Sequence, residues 1–192
     1  MLFKNRLESE NINLSSKFYS YATSFSEHLM RWNKIHNLTG AKTVKEIENN
    51  IYDSVYALKF LPDIKSAIDI GTGAGFPGMI LAFALPQTHF TLVEPLQKRT
   101  SFLQFIIGDL KLSNVTIETK KIEDVEPKKV DLITSRALTD TKLLMKLSHE
   151  FIQKDTLLLF YKGTSVKEEL DESQDYKIFE RDNRRYLLIK SK

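Results

Sequence analysis

Four glycines fall within the eight residues from Gly71 to Gly78, in the segment Asp69-Ile70-Gly71-Thr72-Gly73-Ala74-Gly75-Phe76-Pro77-Gly78. Glycines spaced this closely let a backbone turn tightly and approach a ligand with no side chain in the way. Two ligand classes use such a turn. Gly73-x-Gly75-x-x-Gly78 fits the fingerprint that lays a dinucleotide pyrophosphate on a helix N-terminus. Asp69-x-Gly71-x-Gly73-x-Gly75 fits the acid-led loop that cradles S-adenosylmethionine. A pyrophosphate is best served by a helix start with no acid beside it, whereas the ammonium and sulfonium of the methyl donor are attracted by a nearby carboxylate. Asp69, just ahead of Gly71, therefore tilts the segment toward S-adenosylmethionine, with Asp69, Gly71, Gly73 and Gly75 as cofactor-binding residues. Glu94 closes the next apolar run and suits bidentate binding of ribose hydroxyls, a role it has in either cofactor class.

Other side chains bear on the acceptor. Arg136, in Thr134-Ser135-Arg136-Ala137, carries a guanidinium fork suited to guanine O6 or to a phosphate. Lys98 and Arg99, just beyond Glu94, are expected to neutralise RNA phosphates, although basic residues at a helix start also read as a solvated surface. Asn37 and Thr39 end the first helical region and either close over the site or, for Asn37, simply cap a helix. The C-terminal run from Tyr176 is rich in arginine and lysine, an RNA-contacting edge or a protected edge strand. The chain has no cysteine, which excludes disulfides, zinc-thiolate sites and a thiolate nucleophile. Its four histidines show no metal-ligand spacing, so no metal is expected.

These residues need a scaffold, and its periodicity is readable. From Ser16 to about Ile35, Phe18, Tyr21, Ala22, Phe25, Leu29 and Trp32 recur at helical spacing, and Thr43-Val-Lys-Glu46 is a capping box leading a second helix toward Pro62. Short apolar runs then appear at Ala67–Ile70, Phe90–Val93, Val115–Glu118, Val130–Thr134 and Thr156–Tyr161. Helical stretches separate them: one opened by Pro77 and stopped by Pro86, one opened by Pro95, and one carrying Leu143, Leu144, Leu147 and Phe151. Tyr176–Glu180 and Tyr186–Lys190 read as an antiparallel hairpin about the polar RDNRR. The pattern is α/β: N-terminal helices over residues 1–62, then over 63–192 a Rossmann-like, mostly parallel seven-stranded sheet with an antiparallel C-terminal hairpin, the whole forming one compact unit. That architecture is the one of class I S-adenosylmethionine-dependent methyltransferases. In it, the turn Ile122-Glu123-Asp124 after the third strand stands where an acidic or polar residue meets the adenine amine, though it also reads as an ordinary charged surface turn.

A net charge of +3 permits a polyanionic partner without requiring one. No apolar run is long enough to cross a bilayer and the N-terminus lacks a secretory h-region, so a cytoplasmic protein without a membrane partner is expected.

With these residues in hand, the chain resembles the ribosomal small-subunit methyltransferase G family (RsmG, also called GidB). The segments that carry the resemblance are Arg31-Trp32-Asn33-Lys34, Asn37-Leu38-Thr39-Gly40, Asp53-Ser54, the glycine segment, Lys98-Arg99 with Phe102-Leu103, and Thr134-Ser135-Arg136-Ala137. The resemblance implies methyl transfer to N7 of a guanine in 16S rRNA, and cofactor roles for Gly71, Phe76, Glu94, Ile122, Glu123 and Arg136. Asn50 stands where that family commonly has histidine, and Glu94 where it often has aspartate.

The chemistry agrees with the residues present. Guanine N7 offers a lone pair and needs no base, whereas C5 methylation of a pyrimidine would need a cysteine, and exocyclic-amine methylation commonly uses an Asn/Asp-Pro-Pro-aromatic tetrad where Thr134-Ser135-Arg136-Ala137 stands. Arg136 is accordingly the expected catalytic residue, acting on O6, a phosphate or the cofactor carboxylate. A monomer acting on 16S rRNA or the small ribosomal subunit is expected. A nicotinamide-dependent oxidoreductase and a non-catalytic ribosome assembly factor remain the alternatives.

Overall fold

The computed structural model describes residues 2–136, 140–169 and 175–191. Seven strands form one sheet in the order β3-β2-β1-β4-β5-β7-β6. The strands are β1 (Ser66–Ile70), β2 (His89–Val93), β3 (Val115–Glu118), β4 (Val130–Arg136), β5 (Ile152–Lys162), β6 (Tyr176–Arg181) and β7 (Arg184–Lys190). β1 to β5 run parallel, and β7 pairs antiparallel with both β5 and β6. β1 lies between β2 and β4, so chain order reverses across it and the crevice beyond its carboxyl end is where a ligand of such a sheet sits.

The helices are α1 (Leu2–Ser9), α2 (Ser16–His36), α3 (Val44–Tyr56), α4 (Gly78–Ala84), α5 (Gln97–Leu110) and α6 (Thr141–Ser148). Residues alternate across β1. Ala67 joins a core built by α1 to α5, whereas Ile68 and Ile70 join a separate core with Leu144 of α6. The N-terminal helices therefore bury their apolar stripe on the same sheet face as α4 and α5. Phe25 of α2 is central to that packing: its ring meets Phe76, Phe83 and Phe102 at centroid distances of 5.5, 5.8 and 5.6 Å.

Local signals explain most boundaries. Ser15 Oγ caps α2 by accepting from Phe18 N at 3.2 Å, and Asn37 ends it in the left-handed region at φ 50°. The capping box at α3 forms in both directions, Glu46 N to Thr43 Oγ1 and Thr43 N to Glu46 Oε2, each 3.2 Å. Some boundaries differ from the sequence expectation. Pro77 is the residue before α4 rather than within it, and α5 opens at Gln97, two residues past Pro95. β4 runs on to Arg136, which makes that arginine the end of a strand. β5 starts at Ile152, because Asp155 at φ 67° lets the strand continue through the exposed residues 153–155 that carry no apolar signal. β6 and β7 reach to Arg181 and Arg184, leaving only Asp182 and Asn183 as the turn. Ala137 lies outside the described residues.

Truncating Phe25 removes the ring at which α2, α4 and α5 meet, and it is fully buried. Phe25→Ala is expected to cost about 3–5 kcal/mol of unfolding free energy, read from urea denaturation, since the surrounding aromatic rings cannot close the hole.

Candidate active site

The turn after β1 puts three glycines in the left-handed half of backbone space: Gly71 at φ 69°, Gly73 at 60° and Gly75 at 105°. Gly71 N and Thr72 N both donate to Val93 O, at 2.9 and 3.1 Å, tying the turn to the end of β2. Two glycines are demanded for different reasons. At Gly73 an added Cβ would meet nothing within 4 Å, so the demand there is the positive φ beside an open cavity. At Gly78 an added Cβ would lie 2.4 Å from Leu92 Cδ2 and 2.6 Å from Asp69 Cβ, so the first turn of α4 is pressed directly on the sheet.

Asp69 is placed differently from the expectation. Its side chain is wholly buried behind the turn and does not line the cavity. Oδ2 accepts from Gly78 N at 2.9 Å and Oδ1 accepts from Thr134 Oγ1 at 2.8 Å. Asp69 thus clamps the start of α4 to β1 and β4 rather than touching a ligand. Burial pushes its carboxyl above the ordinary carboxylate range, against the hydrogen bonds that favour the charged form.

Glu94 does face the cavity, although it is only 2% exposed. Its Oε2 accepts from Gly73 N at 3.0 Å and from Arg99 Nη1 at 3.2 Å, and Oε1 accepts from Leu96 N at 3.0 Å. Arg99 is therefore a wall of this cavity, ion-paired to Glu94, rather than an outward-facing phosphate contact. Its Nε is buried with no hydrogen-bond partner among the described residues. Lys98 stays exposed and donates to His36 O at 3.1 Å, which satisfies a carbonyl at the end of α2. Asn37 is exposed as the cap of that helix and does not line the cavity, but Leu38, Thr39 and Gly40 beside it do. Asn33 holds this segment in place, accepting from Thr39 N and donating to Ala41 O, both at 2.9 Å.

The cavity so walled measures about 540 Å³ and reaches from Glu94 and Arg99 to Phe76 and Arg136. A second, of about 350 Å³, shares Gly71 and Pro95 with it and is lined by Ile70, Val93, Ile122 and Leu143, with exposed Glu123 at its edge. Together they make a cleft that is polar at one end and apolar at the other, the donor set that a nucleoside with a charged tail requires. The residues present fit S-adenosylmethionine: Glu94 would serve its ribose, the Gly71–Gly73 backbone and the unpaired Arg99 Nε its polar part, and Ile122 and Glu123 its base. Gly75, expected among the cofactor-binding residues, lines neither cavity; a Cβ there would lie 3.0 Å from Leu103 and Met79 side chains, so its place is set by packing.

Arg136 closes the polar end. Nη1 donates to Asn50 Oδ1 at 3.0 Å and lies 3.7 Å from Asp53 Oδ2, and the guanidinium sits 4.9 Å over the Phe76 ring. Burial lowers its pKa while Asp53 opposes that shift. Asp53, 4% exposed, also meets Arg181 Nη2 at 2.9 Å, Arg184 Nε at 3.0 Å and Tyr186 Oη at 2.8 Å. Burial and then the Asp53 charge hold the Tyr186 hydroxyl protonated well above its usual range. This hub was not foreseen, because nothing in one sequence pairs an aspartate on a helix with arginines on a distant hairpin. It also changes the view of the basic C-terminal run. Arg181 and Arg184 point to Asp53, Arg185 pairs with Glu180 at 3.2 Å, and Lys190 with Asp155 at 2.9 Å. Among the described residues no cluster of three or more acidic, histidine or cysteine side chains could hold a metal.

This topology and cleft define a class I S-adenosylmethionine-dependent methyltransferase fold. M. jannaschii TYW2 in complex with AdoMet superposes with a TM-score of 0.60 at 15% identity, over 74% of this chain and 74% of that one. Coclaurine N-methyltransferase bound to N-methylheliamine and SAH gives 0.56 at 20% identity, over 76% of this chain and 49% of that one. At these identities the likeness is one of fold. The chain belongs to the family described as GidB, rRNA small subunit methyltransferase G, which matches residues 19–190. It is 46% identical to the ribosomal RNA small subunit methyltransferase G of Wolinella succinogenes over 184 residues, 96% of this chain and 95% of that one. It is 47% identical to the protein of the same name from Helicobacter hepaticus over 171 residues, 88% of this chain and 92% of that one.

The placement of Asp69 can be checked directly. An amide there keeps an acceptor for Gly78 N, turns its NH2 to Thr134 Oγ1 and removes a buried charge. Asp69→Asn is expected to hold S-adenosylmethionine affinity within about threefold, whereas Asp69→Ala orphans an amide and costs about 1–3 kcal/mol of stability. Because the folded pKa is raised, the wild-type carboxyl contributes stability fully present below its unfolded pKa and lost as pH rises through the folded value. Asp69→Asn should flatten that part of the stability profile. A large loss of cofactor affinity in a stable Asp69→Asn protein would show that the charge acts on the ligand instead.

Proposed function

We propose that this chain transfers the methyl group of S-adenosylmethionine to N7 of a guanine in 16S rRNA of the small ribosomal subunit. One observation carries the choice of cofactor over a dinucleotide. The backbone amides that a pyrophosphate would use are already taken by carboxylates, Gly73 N by Glu94 and Gly78 N by Asp69. A diphosphate brought to this turn would meet negative charge where it needs donors.

S-adenosylmethionine supplies a methyl group on a sulfonium, ready for in-line displacement. The protein's part is to align the two reactants and keep water away. Glu94 and the Gly71–Gly73 backbone orient the donor, while Leu38, Thr39 and Gly40 roof the far side of the cavity. Guanine N7 attacks with a lone pair and releases no proton, so no base has to stand beside it. The walls agree: among the described residues lining the cavity the one carboxylate is Glu94, which already accepts three hydrogen bonds, and no histidine or lysine lines it. Arg136, held from behind by Asn50, presents a guanidinium that suits guanine O6 or a phosphate; a donor on N7 itself would oppose the reaction. Residues 1–62 act as a helical extension to the methyltransferase core of 63–192, and the protein works as a cytoplasmic monomer. No helix is long and apolar enough to cross a membrane among the described residues.

Isothermal titration should show binding of S-adenosylmethionine and none of NADH. Incubation with small subunits from cells lacking this protein should yield 7-methylguanosine by nucleoside mass spectrometry. Arg136→Ala is expected to lower methyl transfer about 10²-fold with cofactor affinity near wild type. Retention of NADH in place of the methyl donor would overturn the assignment, and cofactor binding without any methyl transfer would mark an assembly factor.

A further inference from the structure

Beyond Arg136, on the side away from the cofactor cleft, lies a separate open cavity of about 310 Å³ between α3 and the β6–β7 turn. Asn50 and Asp53 form one wall, Arg181, Asp182, Asn183 and Arg184 the other. Arg136 belongs to the wall of the cofactor cleft, yet its Nη1 bonds Asn50 of this second cavity. One hydrogen bond, Arg136 to Asn50, thus links the lining of one space to that of the other.

The charges here do not balance. Asp53 is the shared counterion of Arg136, Arg181 and Arg184, at 3.7, 2.9 and 3.0 Å. Asp182, the other carboxylate, divides itself between Arg181 at 3.5 Å and Arg6 at 3.4 Å. Two arginines and two aspartates line the cavity itself; with Arg136 and the half-exposed Arg6, which lie outside its lining, the connected ion network holds four guanidiniums against two carboxylates, an excess that an anion at the open side would offset. The arginines differ in how far their donors are used. Arg181 is spent, bonded to Asp53 and Tyr186 and laid over the rings of Tyr52 and Tyr56 at 4.7 and 5.3 Å. Arg184 is not: among the described residues its side chain reaches, besides Asp53, only Lys162 O at 3.5 Å, and it is 27% exposed.

We propose that this cavity is a phosphodiester subsite, in which Arg184, linked to Arg136 through their shared counterion Asp53, holds the backbone of the RNA strand whose guanine enters the cofactor cleft. The inference rests on the methyl-transfer function proposed above. A base drawn out of its stack leaves its phosphates behind, and a guanidinium fork matches two phosphate oxygens at once. Placing that fork on the same ion cluster that sets Arg136 couples the hold on the strand to the side chain beside the reacting base. The Asp53 and Asp182 carboxylates line the same cavity from opposite walls and set a limit: they orient the arginines, and the phosphate must approach from the Arg184 side.

The test uses the full chain, small subunits as substrate and a series of KCl concentrations. Arg184→Gln should raise KM for small subunits about 10-fold and reduce the slope of log affinity against log salt by about 1, with S-adenosylmethionine affinity within about twofold by titration calorimetry. Arg184→Lys, which keeps the charge and loses the fork, should recover the salt slope and only part of the affinity. Asn183→Asp places a carboxylate on the exposed turn without touching the ion cluster, and should also raise KM; it decides the matter if Arg184→Gln does not fold. Unchanged KM and salt slope in folded variants overturn the subsite alone. Failure of the unaltered protein to methylate small subunits overturns the parent function and the subsite with it.

Discussion

The structure turns on how two carboxylates satisfy the backbone of one glycine turn. A chain leaving β1 and entering α4 in so few residues exposes amides that no strand or helix can pair. Asp69 takes the amide of Gly78 from behind, in the core, and Glu94 takes that of Gly73 from the cavity side. The first is a structural clamp: Gly78 has no room for a Cβ because Asp69 and Leu92 already occupy its place. The second leaves the ligand a surface that is anionic where a dinucleotide fold of similar shape would be donor-rich. Ligand class is thus decided by which groups already bond the amides, more than by the spacing of the glycines.

From this turn the organisation spreads outward through shared neighbours. Phe76, the residue after Gly75, packs edge-on against Phe25 of α2 and under the guanidinium of Arg136. The N-terminal helices are therefore joined to the cleft by its own wall. Asp53 on α3 does the same from the other direction, binding Arg136 on β4 and Arg181 and Arg184 at the hairpin. Tyr161 Oη reaches Ser54 O at 2.7 Å, so β5 is tied to that helix as well. A helix, a strand and the closing hairpin, from distant parts of the chain, meet on the Asp53 side chain, which fixes the position of Arg136.

Much of this was legible in the chain. The β/α alternation, the parallel sheet, the closing hairpin and the glycine turn each follow from local patterns: short β-branched runs, capping residues and prolines. What escaped is instructive in its kind. Residues 153–155 of β5 are polar and exposed, so they carry no apolar signal. Asp69 was assigned to the ligand because spacing tells that an acid precedes the turn, whereas strand alternation decides which face it takes, and here that face is the core. Arg99 was assigned to RNA because it is charged and follows Glu94 closely; the chain turns between the end of β2 and the start of α5, and that turn folds the first helical residues back on the same carboxylate. The Asp53 hub joins α3 to a hairpin far along the chain, a distance at which a single sequence carries no pairing signal.

The same features bear on why the proposed reaction, attack by guanine N7, needs so little of the protein's chemistry. A nucleophile that carries its own lone pair removes the demand for a base, and with it the demand for a cavity that tunes a side chain to neutral pKa. What remains is alignment, and alignment is a property of rigid parts. Among the described residues, every charged side chain on the wall of the larger cavity is already committed, Glu94 to the turn, Arg99 to Glu94, Arg136 to Asn50. Such commitment costs the site flexibility and leaves it poorly suited to proton transfer, but it holds donor and acceptor where displacement can occur. A methyl acceptor that had to lose a proton would require a free base here, and the arrangement of these three residues leaves none.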